Sequence, residues 1–337
     1  MRKRRLGKSS LFVSELALGS INFGGKITTS SATKILDIVY EKGVNLIDTS
    51  EVYPMPFSES GYGKTEKIIG KWLQGNNRDS IIISTKAAGP GEFIKWIRNG
   101  KSIHNRENLQ SAVEGSLTRL GTDYIDIFWL NWPDRPINSS DIFFEESKQQ
   151  KSYSIEETSD ALLSLVKAGK IRHFGISNET PWGIAQYLKF GGEHFIGIQN
   201  PFNLINRGFE ISHAEMVAME NLSLIAYSPL AGGLLGGKRE KSPLKRSKRD
   251  SFWLNQYNSI QNLVHISKLK HIAEESNIKM HALALQFVLS FEWVASTIVG
   301  CSTTEQCRQN FINTSILDKK TLKKINKLHK QRMPPCN

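Results

Sequence analysis

The sequence predicts an α/β fold, a (β/α)8 TIM barrel with an N-terminal β-hairpin and long loops at its C-terminal face. Short apolar runs alternate with helical patterns eight times, and eight strand-then-helix units favour closure of a parallel sheet over an open, doubly wound one. No G-x-G-x-x-G follows the first run, which argues against a dinucleotide-binding open sheet. The length of 337 residues suits one barrel of roughly 250 residues with insertions, so a single domain is expected over 1–337.

The elements follow in order. Segments 4–6 and 11–14 flank Gly7-Lys-Ser-Ser and read as the hairpin, which occupies 1–14. Barrel strands are expected at 15–19, 44–47, 81–85, 125–130, 171–175, 195–198, 222–227 and 296–300, each a short apolar run. Amphipathic spacing predicts helices over 31–40, 65–73, 106–120, 159–167 and 184–189. Segments 136–151 and 236–257 are polar or basic and read as long loops on the scaffold, a class that is usually functional or disordered.

Composition removes several function classes. The chain carries 44 Lys+Arg against 32 Asp+Glu, a net charge of +12. Part of that excess sits at 319–332, where Leu322, Ile325 and Leu328 recur at helical spacing and leave the lysines as a solvated face. No basic patch is interleaved with aromatic residues, so no nucleic-acid partner is expected. No apolar stretch approaches 18 residues, so no membrane span is expected, and the basic start Met1-Arg-Lys-Arg-Arg lacks the apolar run of a signal peptide. Cys301, Cys307 and Cys336 show no zinc spacing and the eight histidines no H-E-x-x-H, so no metal is expected and a reduced, cytoplasmic setting is. Gly232 to Lys238 matches G-x-x-x-x-G-K, but Arg239 stands where Ser or Thr must hold magnesium, which excludes a P-loop.

The informative residues stand at strand C-termini. Asp48 ends the second strand, Tyr53 follows five residues later, Lys86 ends the third strand and Asn131 the fourth. In a barrel these ends share one mouth, where active sites lie. A buried Lys–Asp pair near a Tyr suits general acid chemistry, and the ammonium is expected to lower the phenol pKa.

Seven ordered motifs carry a resemblance. They are Gly43-Val-Asn-Leu-Ile-Asp48-Thr-Ser-Glu-Val-Tyr53; Ser84-Thr-Lys86; Asn108-Leu with Ser116-Leu-Thr-Arg-Leu-Gly-Thr-Asp123-Tyr-Ile-Asp126; Gly175-Ile-Ser-Asn178; Ile198-Gln-Asn200; Ala226-Tyr-Ser-Pro-Leu230; and Val299-Gly-Cys-Ser302 with Gln309-Asn310. Through them the sequence resembles the aldo-keto reductase superfamily over nearly its whole length. Glu51-Val-Tyr-Pro and the long loop after Trp132-Pro-Asp look most like the Tas-like bacterial reductases, a branch related to the β-subunits of voltage-gated potassium channels.

The resemblance implies an NADP(H)-dependent enzyme that reduces a small carbonyl compound, an aldehyde or ketone, to an alcohol. Asp48, Tyr53 and Lys86 match three of the four catalytic positions, and Asn131 stands where the family usually has His. Asn can donate a hydrogen bond but cannot supply a titrating proton. The alternative is therefore a nicotinamide-binding regulatory or interaction subunit with little turnover. For the cofactor, the resemblance implies Ser177, Asn178 and Gln199 at the carboxamide, Tyr227 stacked on nicotinamide, and Ser20 and Asp48 nearby. Ser228, Pro229, Leu230, Ala231 and Lys238 match the pyrophosphate loop; Gly300, Ser302, Gln306, Gln309 and Asn310 match the adenosine end, Gln309 replacing an acidic residue. Arg246, Lys248 and Arg249 supply cations for the 2′-phosphate. Ile21, Phe23, Trp129, Trp132 and the 136–151 loop are expected to wall an apolar substrate pocket.

Overall fold

The computed structural model describes residues 1–135, 154–236, 257, 259–312 and 315–332. Lys238, Arg246, Lys248 and Arg249, and nearly all of both long loops, lie outside the described residues.

Strands β1 (Lys3–Arg5) and β2 (Phe12–Ser14) form the antiparallel hairpin. After them come β3 (Leu16–Gly19), α1 (Thr29–Glu41), β4 (Leu46–Asp48), α2 (Lys64–Leu73), β5 (Ile82–Ala87), α3 (Arg106–Leu120) and β6 (Ile125–Leu130). The chain continues through α4 (Ile155–Lys167), β7 (Ile171–Ser177), α5 (Pro181–Phe190), β8 (Phe195–Gln199), α6 (Gly208–Ser212), α7 (Ala214–Met219) and β9 (Ser223–Ala226). The last elements are α8 (Ile260–Glu275), α9 (Met280–Leu289), β10 (Val294–Gly300), α10 (Thr304–Asn310) and α11 (Lys319–Lys330). Strands β3 to β10 pair in parallel and in sequence, and β10 closes the barrel against β3.

Local chemistry sets the helix ends. The Asn105 side chain accepts from Asn108 N at the start of α3, and Gly121 ends it at φ +62°. Helix α4 begins at Ile155 rather than 159 because Ser154 and Glu157 form a reciprocal capping box.

The barrel interior is apolar towards its N-terminal end, with Ala17, Leu46, Ile82, Ile127, Ile196, Ile225 and Ala295 packed on Leu6 and Val13 of the hairpin. The hairpin turn closes this end: Gly7 N donates to Ser223 Oγ at 2.8 Å, and a Cβ on Gly7 would lie 2.2 Å from the Ile196 carbonyl oxygen. Two expected pocket residues belong instead to the core. Trp129 is fully buried inside the barrel, its Nε1 donating to Ser84 Oγ at 2.6 Å, in space left by Gly175, where a Cβ would meet the indole at 2.2 Å. Phe23 is likewise fully buried, among the apolar residues between strands and helices. A continuous apolar strand does not reveal which face is inward or how deep a ring lies, so the sequence could not separate wall from core here.

Candidate active site

Strand alternation places the site. In β5, Ile82, Ser84 and Lys86 share one face, and Ile82 lies in the inner cluster, so Ser84 and Lys86 follow it upward into the barrel. The same alternation takes β4 from Leu46 to Asp48 and β6 from Ile127 through Trp129 to Asn131, one residue past the strand. The interior thus turns from apolar to polar at the C-terminal mouth.

Lys86 Nζ donates to Asp48 Oδ2 at 2.6 Å and to the Thr49 carbonyl at 2.7 Å, with both charged side chains buried. The second oxygen of Asp48 accepts from Ser84 Oγ and Gln199 Nε2, each at 2.9 Å. The ammonium lies 5.3 Å from the centroid of the Tyr53 ring. Burial pulls the Lys86 pKa below the ordinary lysine value, opposed by the Asp48 charge. For Tyr53 the sequence-based expectation is reversed: its phenol is raised well above the usual tyrosine value, first by burial, then by the charge of Asp48 and by Tyr227. The ammonium is engaged by Asp48 and the Thr49 carbonyl rather than by the phenol, so it does not offset the burial.

Asn131 is buried at the rim. Its Nδ2 reaches Ser50 Oγ at 3.5 Å, and its carbonyl accepts from Asn178 Nδ2 at 2.8 Å. Asn178 in turn takes a hydrogen bond from the Tyr227 hydroxyl at 2.6 Å, joining the ends of β6, β7 and β9. Ser177 Oγ donates to the Gln199 carbonyl at 2.7 Å, and Ser20 Oγ to the Asp48 carbonyl at 2.7 Å. Three non-glycine residues here adopt left-handed backbone: Asn178 (φ +58°), Ser228 (φ +55°) and Ala231 (φ +46°). Such strain clusters at ligand clamps. Pro229 and Leu230 lie in the same turn after β9, leading into a short 3-10 segment at Ala231–Gly233. At the end of β10 Gly300 pairs with Gly19; beyond it Ser302 N donates to Gln306 Oε1 at 2.9 Å, Gln309 Nε2 donates to Glu305, and Asn310 Nδ2 lies 3.8 Å from the Cys301 sulfur.

The structure therefore brings Asp48, Lys86, Tyr53 and Gln199 together at the centre of the mouth. It gathers Asn131, Asn178 and Tyr227 beside them and leaves the 302–310 group at the outer end of β10. Sequence reasoning missed Ser50 and Ser84, which hold Asn131 and Asp48, and Phe57, which stacks on Tyr53 with ring centroids 6.4 Å apart. Ser84 lies inside the motif Ser84-Thr-Lys86, and its inward register with Lys86 was the signal for its role. Among the described residues no cluster of His, Cys, Asp or Glu could hold a metal ion, and no helix is long and apolar enough to cross a membrane.

A closed eight-stranded parallel barrel thus gathers Asp48, Lys86 and Tyr53 at its C-terminal mouth. The chain belongs to the aldo/keto reductase family, whose model matches residues 15–330. It is 34% identical to Protein tas of Escherichia coli (strain K12), covering 98% of each chain. It is 30% identical to a probable voltage-gated potassium channel subunit beta of Arabidopsis thaliana, over 92% of this chain and 90% of that one. Among solved structures it matches the aldo-keto reductase AKR11C1 from Bacillus halodurans in its holo form, with a TM-score of 0.76, 28% identity, and coverage of 97% of this chain and 96% of that one.

Proposed function

We propose that the protein is an NADP(H)-dependent reductase that converts an aldehyde or ketone to an alcohol, with Tyr53 as the proton donor. The observation that carries this reading is the buried Asp48–Lys86 pair at the barrel mouth with the Tyr53 ring 5.3 Å from its ammonium. When bound, the nicotinamide supplies the hydride. The donor set at the rim fits such a group: Ser177, Asn178 and Gln199 offer polar atoms for the carboxamide and Tyr227 a ring for stacking. The strained turn Ser228 to Ala231 faces the same mouth from β9, as a pyrophosphate clamp requires. Gly300, Ser302, Gln306, Gln309 and Asn310 take the adenosine end, with Lys238, Arg246, Lys248 and Arg249 as the cations for its phosphates.

Tyr53 carries the acid role. A phenol raised above its ordinary pKa stays protonated through neutral pH, so the proton is present when negative charge develops on the substrate oxygen. Asp48, itself held by Gln199 and Ser84, keeps the Lys86 ammonium in place 5.3 Å from the Tyr53 ring. Asn131 Nδ2 gives the substrate oxygen a second, neutral donor.

A second reading, a cofactor-holding subunit with little turnover, draws on Asn131 at the fourth position and on the potassium channel subunit beta relative. Single-turnover oxidation of bound NADPH by a reactive aldehyde separates the two. Oxidation on mixing supports the reductase; tight NADPH binding without oxidation supports the subunit.

A further inference from the structure

Two residues before Tyr53, Glu51 is a fully buried carboxylate. It receives a fork from Arg98, Nη1 to Oε2 at 2.9 Å and Nη2 to Oε1 at 2.7 Å. Ala88 N and the Tyr62 hydroxyl complete its shell at 2.7 and 2.8 Å. Its backbone is held as well: Glu51 N donates to the Lys86 carbonyl, and its own carbonyl accepts from Gly63 N at the start of α2. Arg98 and Asn99 reach this position through left-handed backbone, at φ +47° and +55°. One residue thus ties the ends of β4 and β5, the entry to α2 and the segment 91–100.

The 91–100 segment bears Phe93, and Phe93 continues a row of rings that starts at the proposed proton donor. Tyr53 stacks on Phe57 (6.4 Å between centroids, planes 2° apart), Phe57 on Phe93 (5.9 Å), and Phe93 meets Trp132 (5.6 Å). Trp132 is pinned by its Nε1 donating to the Pro90 carbonyl at 2.8 Å. Phe93, the third ring of the row, is 54% exposed, so the row opens to solvent there. Below it lies a small apolar cluster of Val52, Ala88, Ile94 and Ile97, separate from the barrel core.

We propose that Glu51 and Arg98 are positioning residues: their buried fork fastens the 91–100 segment to the strand end that carries Tyr53, and the aligned rings select carbonyl compounds that bear an aryl group. This rests on the reductase reading above. The fork suits the task because a planar guanidinium on a carboxylate fixes orientation as well as distance, which a lysine does not. A row of rings that runs from Tyr53 to a solvent-exposed member offers apolar and edge-on contact to an aryl group carried by the substrate.

The experiment compares 3-phenylpropanal with propanal, two aldehydes that differ only in the aryl group, using the full chain and saturating NADPH. The expected wild-type ratio of kcat/KM is at least about thirty in favour of the aryl aldehyde, expressed mainly in KM. Arg98→Lys leaves the Glu51 charge answered but removes the fork; the ratio should fall to about ten or below. Arg98→Ala and, with the fork intact, Phe93→Ala should bring it to about three or below. Thermal unfolding and NADPH fluorescence titration identify any variant that fails to fold, and the remaining variants decide. A wild-type ratio near one, or a ratio that survives in folded Arg98→Lys and Phe93→Ala, overturns this inference alone. A chain that binds NADPH but reduces neither aldehyde overturns the reductase reading and this inference with it.

Discussion

Lys86 and Asp48 stand 2.6 Å apart at the ends of adjacent strands with both side chains buried, so each is the other's chief answer to desolvation. A buried pair adds little net stability, but removing one partner strands a charge and typically costs about 3–5 kcal/mol. Lys86→Met should therefore lower the unfolding free energy by an amount near that range, tempered by the hydrogen bonds Asp48 keeps from Ser84 and Gln199. Adding Asp48→Asn to Lys86→Met should recover part of the loss. Urea unfolding of the three proteins checks this; a double variant less stable than Lys86→Met contradicts it.

Asn131 lies at the rim of the same site, held by Ser50 and Asn178. Its Nδ2 is held at 3.5 Å by Ser50, a weak tether for a group asked to steady a developing oxyanion. Asn131→His should speed hydride transfer to a simple aldehyde by about tenfold, ~1.4 kcal/mol of barrier. Neither Asn131 nor the raised Tyr53 titrates near neutrality, so neither gives the wild-type chemical step a pH dependence around pH 6.5, whereas the His variant should acquire one near the imidazole pKa of about 6.5. Pre-steady-state NADPH oxidation across pH reads both effects. A slower but folded His variant would mean that Asn131 is adapted to this protein's own role.

Cofactor choice is expected to follow charge. NADPH should bind at least about tenfold more tightly than NADH, roughly 1.4 kcal/mol. Neutralising Arg246, Lys248 and Arg249 together should remove most of that preference and its salt sensitivity. Equal affinities in fluorescence titrations of the wild type would dismiss this basic segment as the phosphate site.

Acid should destabilise the fold through His104. Its ring is buried, its Nε2 has no hydrogen-bond partner, and burial lowers its pKa to about 4. The unfolded chain, with an ordinary value of about 6.5, binds the proton first. The stabilising contribution is therefore complete above about pH 6.5 and is lost as pH falls towards 4. Between pH 6.5 and 4.5 the loss should be on the order of 2 to 3 kcal/mol. Unfolding free energies of wild type and His104→Gln at the two pH values test it: the slope should flatten in the variant.

Most of the barrel was legible in the sequence because each strand is a separate apolar run and the five helices α1 to α5 have amphipathic spacing, whereas α9, buried along most of its length, has none to read; 106–120 and 125–130 match α3 and β6 to the residue. Asp48, Lys86 and Asn131 were legible because strand ends in a parallel barrel converge wherever the helices lie. What stayed hidden depends on distance in the chain. Arg98 meets Glu51 across 47 residues with no local pattern to announce it. Trp129 and Trp132 are similar residues three apart, and only the register of β6 puts one in the core and the other in the ring row. The Tyr53 pKa was misjudged because proximity to Lys86 is evident from the motif, whereas burial of the phenol is not.

The central claim is that Tyr53 gives the proton. Its most direct test is Tyr53→Phe, measured as NADPH oxidation with a reactive aldehyde alongside NADPH binding. Losing a general acid typically costs about 10²–10⁴ in rate, so turnover should drop by that much while the NADPH Kd stays within about twofold. Undiminished turnover in a folded Tyr53→Phe protein would contradict the claim and remove Tyr53 from the mechanism.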